Sequence, residues 1–191
     1  VIDRVRDELS RGCNFQRPSV IEREMAEAFL SVVPGHDRIK FAKNGSTATT
    51  AAVKLARAHT GRSLIAVPAD HPFYSYDDWF IGQTACPKGV PEAIRNLTVP
   101  FDSKDLTSLE RAFAQYPGQI ACAISEPERI VPMAPNFLSE IIKICHQNGA
   151  LFIQDEMITG YKQAFPGVIK KSGVVPDLAT WGKGIANGFS F

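Results

Sequence analysis

Residues 136–156 read NFLSEIIKICHQNGALFIQDE, and this stretch decides the fold. Leu138, Ile141, Ile142 and Cys145 recur at helical spacing, which predicts an amphipathic helix from about Asn136 to Asn148 with Gly149 as its stop. Leu151-Phe152-Ile153 then forms a short, continuously apolar run, too short for a helix and apolar on both faces. That is the signature of a strand buried inside a parallel sheet, and Asp155-Glu156 falls at its carboxyl end. In open α/β sheets ligands bind at that end of the strands.

The same alternation extends in both directions. A strand candidate around Ile39 and Phe41 leads through Asn44-Gly45-Ser46-Thr47 into a helix from about Ala48 to His59, with Ala52, Leu55 and Ala56 inward. Strands are expected at Leu64–Val67, Leu97–Val99, Ile120–Ile124 and Leu178–Trp181, and a helix capped by Asp102 or Ser103 precedes the third of these. Residues 71–96 read as irregular and rich in aromatics. Ahead of all this, Val1, Ile2, Val5 and Leu9 share a helical face that Gly12 ends. Ser19 and Glu22 form a capping box for a second helix bearing Ile21, Met25, Phe29 and Val32, which stops near Gly35. Residues 1–35 are thus expected to be a helical segment leading into a larger α/β unit over residues 36–191. Its fold class is a mostly parallel central sheet with helices on both faces, a three-layer sandwich.

Composition narrows the function. The 191 residues are 45% apolar, with 21 Lys and Arg against 20 Asp and Glu for a net charge of +1, which excludes a disordered chain and a strongly basic nucleic-acid binder. No apolar run approaches the roughly 18 residues that span a bilayer, so no membrane partner is expected. Cys13, Cys86, Cys122 and Cys145 are scattered without a C-x-x-C pair, which argues against a zinc module and suits a reducing, cytoplasmic compartment. The first residue, Val1, follows no signal pattern, and the chain reads as a piece of a longer protein.

Three strand-end sites carry chemistry. Asn44-Gly45-Ser46-Thr47 offers a small residue, two hydroxyls and helix N-terminal N–H groups that suit a phosphate, although a plain N-cap accounts for it equally well. Asp155-Glu156 is a strand-end carboxylate, a helix cap or half of an ion pair. A magnesium-holding element of a P-loop ATPase would end the same way, but the G-x-x-x-x-G-K-[ST] loop it needs does not occur. Lys183 sits among Gly182, Gly184 and Gly188, a pattern that also suits a dinucleotide loop or a solvated turn. A nucleotide-binding oxidoreductase would need a ribose-binding acid about 20 residues further on, beyond Phe191. A non-catalytic relic of a cofactor fold is the third reading. No G-x-S-x-G or H-E-x-x-H motif is present, and His36, His59, His71 and His146 form no metal-binding set.

Taken together and in order, the three sites resemble the class III, fold-type I aminotransferases that use pyridoxal 5'-phosphate, most closely the branch of glutamate-1-semialdehyde 2,1-aminomutase. The resemblance runs through Phe41-Ala42-Lys43-Asn44-Gly45-Ser46-Thr47-Ala48-Thr49, Leu55-Ala56-Arg57, Thr60-Gly61-Arg62, Ser125-Glu126-Pro127, Asp155-Glu156-Met157-Ile158-Thr159-Gly160-Tyr161 and Val175–Lys183. It implies the large domain of a pyridoxal-phosphate-dependent transferase, present as a fragment that lacks the small C-terminal domain.

By the same resemblance Lys183 forms a Schiff base with the cofactor aldehyde, and Asp155 faces the pyridine nitrogen so that the ring serves as an electron sink. Gly45, Ser46 and Thr47 would bind the phosphate, with Asn44 beside them. Met157 stands where the family commonly has a valine on one ring face. Phe73 is the expected aromatic lid, with Tyr74 also available and Pro72 opposite the family's tyrosine. A homodimer is implied, and the reactants would be a small-molecule amino donor and a carbonyl acceptor. The stretches Asp70–Asp78 and Glu128–Pro132 depart from the aminomutase pattern, so intermolecular transamination is expected, with the intramolecular isomerase reaction as the alternative.

Overall fold

A computed structural model describes residues 1–12, 16–70, 73–129 and 133–186. They divide into two compact units, Val1–Ile39 and Lys40–Phe191. In the first, α1 (Ile2–Leu9) buries none of its residues, and α2 (Val20–Val32) buries Phe29. Ser19 N–H donates to Glu22 Oε2 at 2.6 Å, the reciprocal bond that a capping box supplies.

The second unit holds a five-stranded sheet in the order β2-β1-β3-β4-β5, with every pairing parallel. In chain order it comprises α3 (Gly45–Thr60), β1 (Leu64–Pro68), α4 (Asp78–Ile81), α5 (Glu92–Arg95), β2 (Thr98–Phe101), α6 (Thr107–Gln115), β3 (Ile120–Ser125), α7 (Phe137–Gln147), β4 (Leu151–Asp155), α8 (Val168–Ser172) and β5 (Leu178–Thr180). A 3-10 turn, Lys183–Ala186, follows.

Two cores lie on opposite faces of the sheet. Beneath α6 and α7, Leu109, Phe113, Ile141 and Cys145 pack on Ala66, Phe101, Ala123 and Phe152. Beneath α3, Ala52, Val53 and Ala56 pack on Ile65, Val67, Ile124 and Ile153, joined by Tyr74, Trp79 and Phe80. This is the three-layer sandwich, and each strand feeds both layers because successive side chains alternate. β3 carries one irregularity: Leu64 pairs with Ile120 but Ile65 with Cys122. The extra residue, Ala121, lets Ile120 and Ala123 share a face although they are three apart.

Several local expectations are corrected. Ile39 and Phe41 lie outside the assigned strands, since two apolar residues around a lysine give a sheet edge too little to hold. The turn residues of α3 are helical from Gly45, and Leu55 is 55% exposed while Val53 takes its inward place. The helix after β2 starts at Thr107. Asp102 instead accepts Lys104 N–H at 2.8 Å, Asp105 accepts Thr107 N–H at 3.0 Å, and Ser103 turns away toward Asp70. In α7, Ile144 is buried, whereas Leu138 and Ile142 lie at the margin of the core. The stretch read as irregular contains α4 and α5, anchored by the buried Trp79 and Phe80. β5 ends at Thr180, one residue before Trp181.

Candidate active site

Because α3 precedes β1 and runs back along the sheet, its N-terminus lies at the carboxyl ends of the strands. Asn44 caps it: its Oδ1 accepts Thr47 N–H at 3.0 Å and Thr47 Oγ1 at 3.1 Å. With Thr47 N–H so occupied, helix geometry leaves the N–H groups of Gly45 and Ser46 directed out of the first turn. Ser46 is 9% exposed, and its hydroxyl accepts Tyr76 N–H at 3.2 Å, which ties the turn to the segment after β1.

Asp155 closes β4 on the α3 face and is 2% exposed. Its Oδ1 accepts Met157 N–H at 2.9 Å and Thr180 Oγ1 at 3.0 Å. Burial pushes its carboxyl up to about 7, the neighbouring Glu126 carboxyl adds to the rise, and the two hydrogen bonds and the Lys183 ammonium oppose it. Lys183 opens the 3-10 turn with φ +47, a left-handed conformation that non-glycine residues avoid, and it is exposed. A strained backbone held between Gly182 and Gly184 is the kind of outlier that clusters at functional sites.

Met157 joins these pieces. A Cβ built on Gly45 would lie 3.0 Å from its Sδ, and one built on Gly182 would overlap the same atom. The thioether therefore occupies space that only glycines on both sides leave open. One side chain thus touches the α3 N-terminus and the turn before Lys183, two residues after Asp155, whose carboxylate accepts its backbone N–H.

The aromatic candidates separate. Phe73 is 64% exposed, with its ring edge-on to Phe80 at 5.7 Å. Tyr74 is 3% exposed, its hydroxyl oxygen accepts Glu126 N–H at 3.2 Å, and its backbone carbonyl accepts Thr49 Oγ1 at 2.9 Å. Pro72 lies outside the described residues, as do Ile130–Pro132 and Gly188. Glu126 and Thr180 had no assigned role in the sequence. The signal for Glu126 was available, since it follows apolar β3 just as Asp155 ends apolar β4.

The donor set fits pyridoxal phosphate: helix N–H groups beside a hydroxyl, a buried carboxylate, and a lysine on a glycine-flanked turn. Gly45 and Gly182 leave room for Met157, which is thereby held between the α3 N-terminus and the turn of Lys183. Among the described residues no helix is long and apolar enough to cross a membrane.

Residues 9–191 match the profile of the class III aminotransferases, and the chain belongs to that pyridoxal-phosphate-dependent family. It is similar to a solved structure of the FumI protein of Sphingopyxis sp. MTA144 in its pyridoxal-phosphate internal aldimine form, at 33% identity and TM-score 0.86 over 96% of this chain and 45% of that one. An omega-transaminase from Sphaerobacter thermophilus is similar at 26% identity and TM-score 0.88, over 97% of this chain and 46% of that one. A β-phenylalanine aminotransferase from Variovorax paradoxus is similar at 25% identity and TM-score 0.84, over 99% and 43%. The chain spans slightly under half the length of these proteins.

Proposed function

We propose that the protein containing this chain is an aminotransferase that passes an amino group from a small-molecule donor to a carbonyl acceptor. The observation that carries this reading is the meeting of Gly45, Gly182 and Met157, which draws the α3 N-terminus and the turn of Lys183 together beside the buried Asp155. Bound pyridoxal phosphate would supply an aldehyde for Lys183 Nζ and a ring that accepts electrons from a substrate carbanion. Gly45 and Ser46 hold its phosphate in this reading, with Thr47, whose N–H and hydroxyl bond Asn44, completing the turn around it, and Met157 supports one face of its ring. Asp155 holds a proton at the ring nitrogen, for which a carboxylate shielded from water is required. Lys183 Nζ serves first as the attachment point and then as the base and acid that move the substrate proton. The aromatic lid is Phe73 with Tyr74 behind it.

Transfer between two substrates is preferred to an intramolecular shift because the segments 70–78 and 128–132 depart from the aminomutase pattern. Similar solved structures carry transaminase and aminotransferase names, which supports the same choice. We further propose a homodimer in the cytoplasm; sedimentation of the full-length protein tests the first part. The decisive test of the function is chemical. Borohydride treatment of the cofactor-loaded, full-length protein should fix the cofactor covalently on the peptide bearing Lys183, and Lys183→Ala should abolish that label. A label retained on another lysine overturns the assignment. Product formation that requires a separate amino donor supports transamination, and isomerisation of one substrate without a donor makes the aminomutase reading correct.

A further inference from the structure

The carboxyl edge of the sheet carries a row of polar groups in the order of the strands. After β2, Ser103 Oγ donates to both carboxylate oxygens of Asp70, at 3.0 and 3.2 Å. Asp70, after β1, pairs with Arg129 Nη1 at 2.9 Å. Arg129, after β3, places Nε 3.8 Å from Glu126 Oε2, and the two side chains are only 10% and 8% exposed. Asp155 ends β4, and Lys183 follows β5.

Glu126 and Asp155 are neighbours by register. β3 and β4 pair with Ser125 opposite Gln154, so the next residues on each strand stand side by side. Ile124 and Ile153 both lie in the core beneath α3, and the two-residue repeat puts Glu126 and Asp155 on that face as well. Two adjacent buried carboxyls resist joint ionisation. The groups facing the pair are Arg129 from the same loop as Glu126, Lys183 beyond β5 and the Tyr74 phenol after β1; Asp70 acts through Arg129. Burial, then the charges of Asp155 and Glu126, drive the Tyr74 hydroxyl upward, so it stays protonated.

We propose that Glu126 is the positioning residue of Asp155: the two carboxyls share one proton near neutrality, and Arg129 fixes the negative charge on Glu126 and so leaves the proton on Asp155. Burial raises both carboxyls, but Arg129 and Lys183 pull Glu126 down, while Asp155 is pushed up to about 7 with Glu126 contributing. The consequence rests on the reading of Asp155 as the partner of the ring nitrogen. Asp155 then arrives loaded: its O–H bond breaks, the proton passes to that nitrogen, and the electron pair stays on the carboxylate that faces it.

The test uses the full-length protein freed of cofactor, with ¹³C-carboxyl-labelled aspartate. The Asp155 resonance is the one absent from Asp155→Asn. Its titration midpoint should fall by a unit or more, a tenfold change in proton affinity, in Glu126→Gln and return in Glu126→Asp. Arg129→Met gives a second, sign-sensitive reading. If Arg129 acts through Glu126, its loss moves the proton toward Glu126 and lowers the Asp155 midpoint; if it acts on Asp155 directly, its loss raises that midpoint. An unchanged midpoint in Glu126→Gln, or a raised one in Arg129→Met, overturns the proposal. The functional reading fails separately, if Asp155→Asn leaves turnover of the loaded protein unaltered.

Discussion

Asp155 and Glu156 are adjacent in sequence, equally buried carboxyls, and the structure uses them in different ways. Asp155 shares the α3 face with Ile153 and opens toward the strand-end site. Glu156 points to the other side, where Oε1 accepts Ile169 N–H at 2.8 Å and Gln154 Nε2 at 2.9 Å, and Oε2 accepts the Thr159 hydroxyl. Gly167 sits so close that an added Cβ would lie 2.7 Å from Glu156 Oε1. Glu156 is a brace tying β4 to α8; Asp155 is held by fewer bonds and is raised in proton affinity by its surroundings. A one-residue step along a strand separates a structural carboxylate from one that faces the candidate site.

The comparison breaks most visibly at Glu156. Glu156→Ala should leave its buried donors unsatisfied and lower unfolding free energy by about 4 kcal/mol, which denaturant titration of the cofactor-free protein would show. An equally stable variant would mean that the brace is not needed. Asp155→Asn should instead fold normally and slow turnover about a hundredfold, equal to about 2.7 kcal/mol in barrier.

The pH dependence of the same residue sharpens the contrast. The folded-state affinity of Asp155 is raised from 3.8 to about 7, so its contribution to stability is fully present below about pH 4 and is lost as pH rises through about 7. Melting temperature of the cofactor-free protein, followed from pH 5 to 8, should therefore fall more steeply in the parent than in Asp155→Asn. Parallel curves would contradict the assignment.

Gly182→Ala tests the cradle. Its new Cβ would overlap Met157 Sδ, so a loss of about 2 kcal/mol is expected; measured in the background of Met157→Ala, which removes the obstructing atom, the same substitution should cost much less, so the two losses are not additive. The smallest effect belongs to Ser46→Ala. Losing one hydroxyl should weaken cofactor retention about fivefold, equal to about 1 kcal/mol, with little change in turnover at saturation, as equilibrium dialysis alongside kinetics would reveal.

Residue patterns by themselves determined the sheet type and the placement of its strand-end groups. An apolar triplet after Gly149 is intelligible only as a buried strand, and Asn44 followed by glycine and hydroxyl residues caps a helix through bonds made within four residues. Such features depend on neighbours in sequence, so local chemistry specifies them. Tertiary structure decided which side chains meet. That Val53 rather than Leu55 faces inward depends on the rotation of α3 against the sheet, and that Tyr74 is buried while Phe73 is exposed depends on α4 folding back over the core. The contact of Gly45 and Gly182 across Met157 joins residues 137 positions apart, and the pairing of Glu126 with Asp155 follows from β3 lying beside β4 in exact register. Strand order and register are long-range choices settled by the packing of both faces together, and no short stretch of sequence contains them.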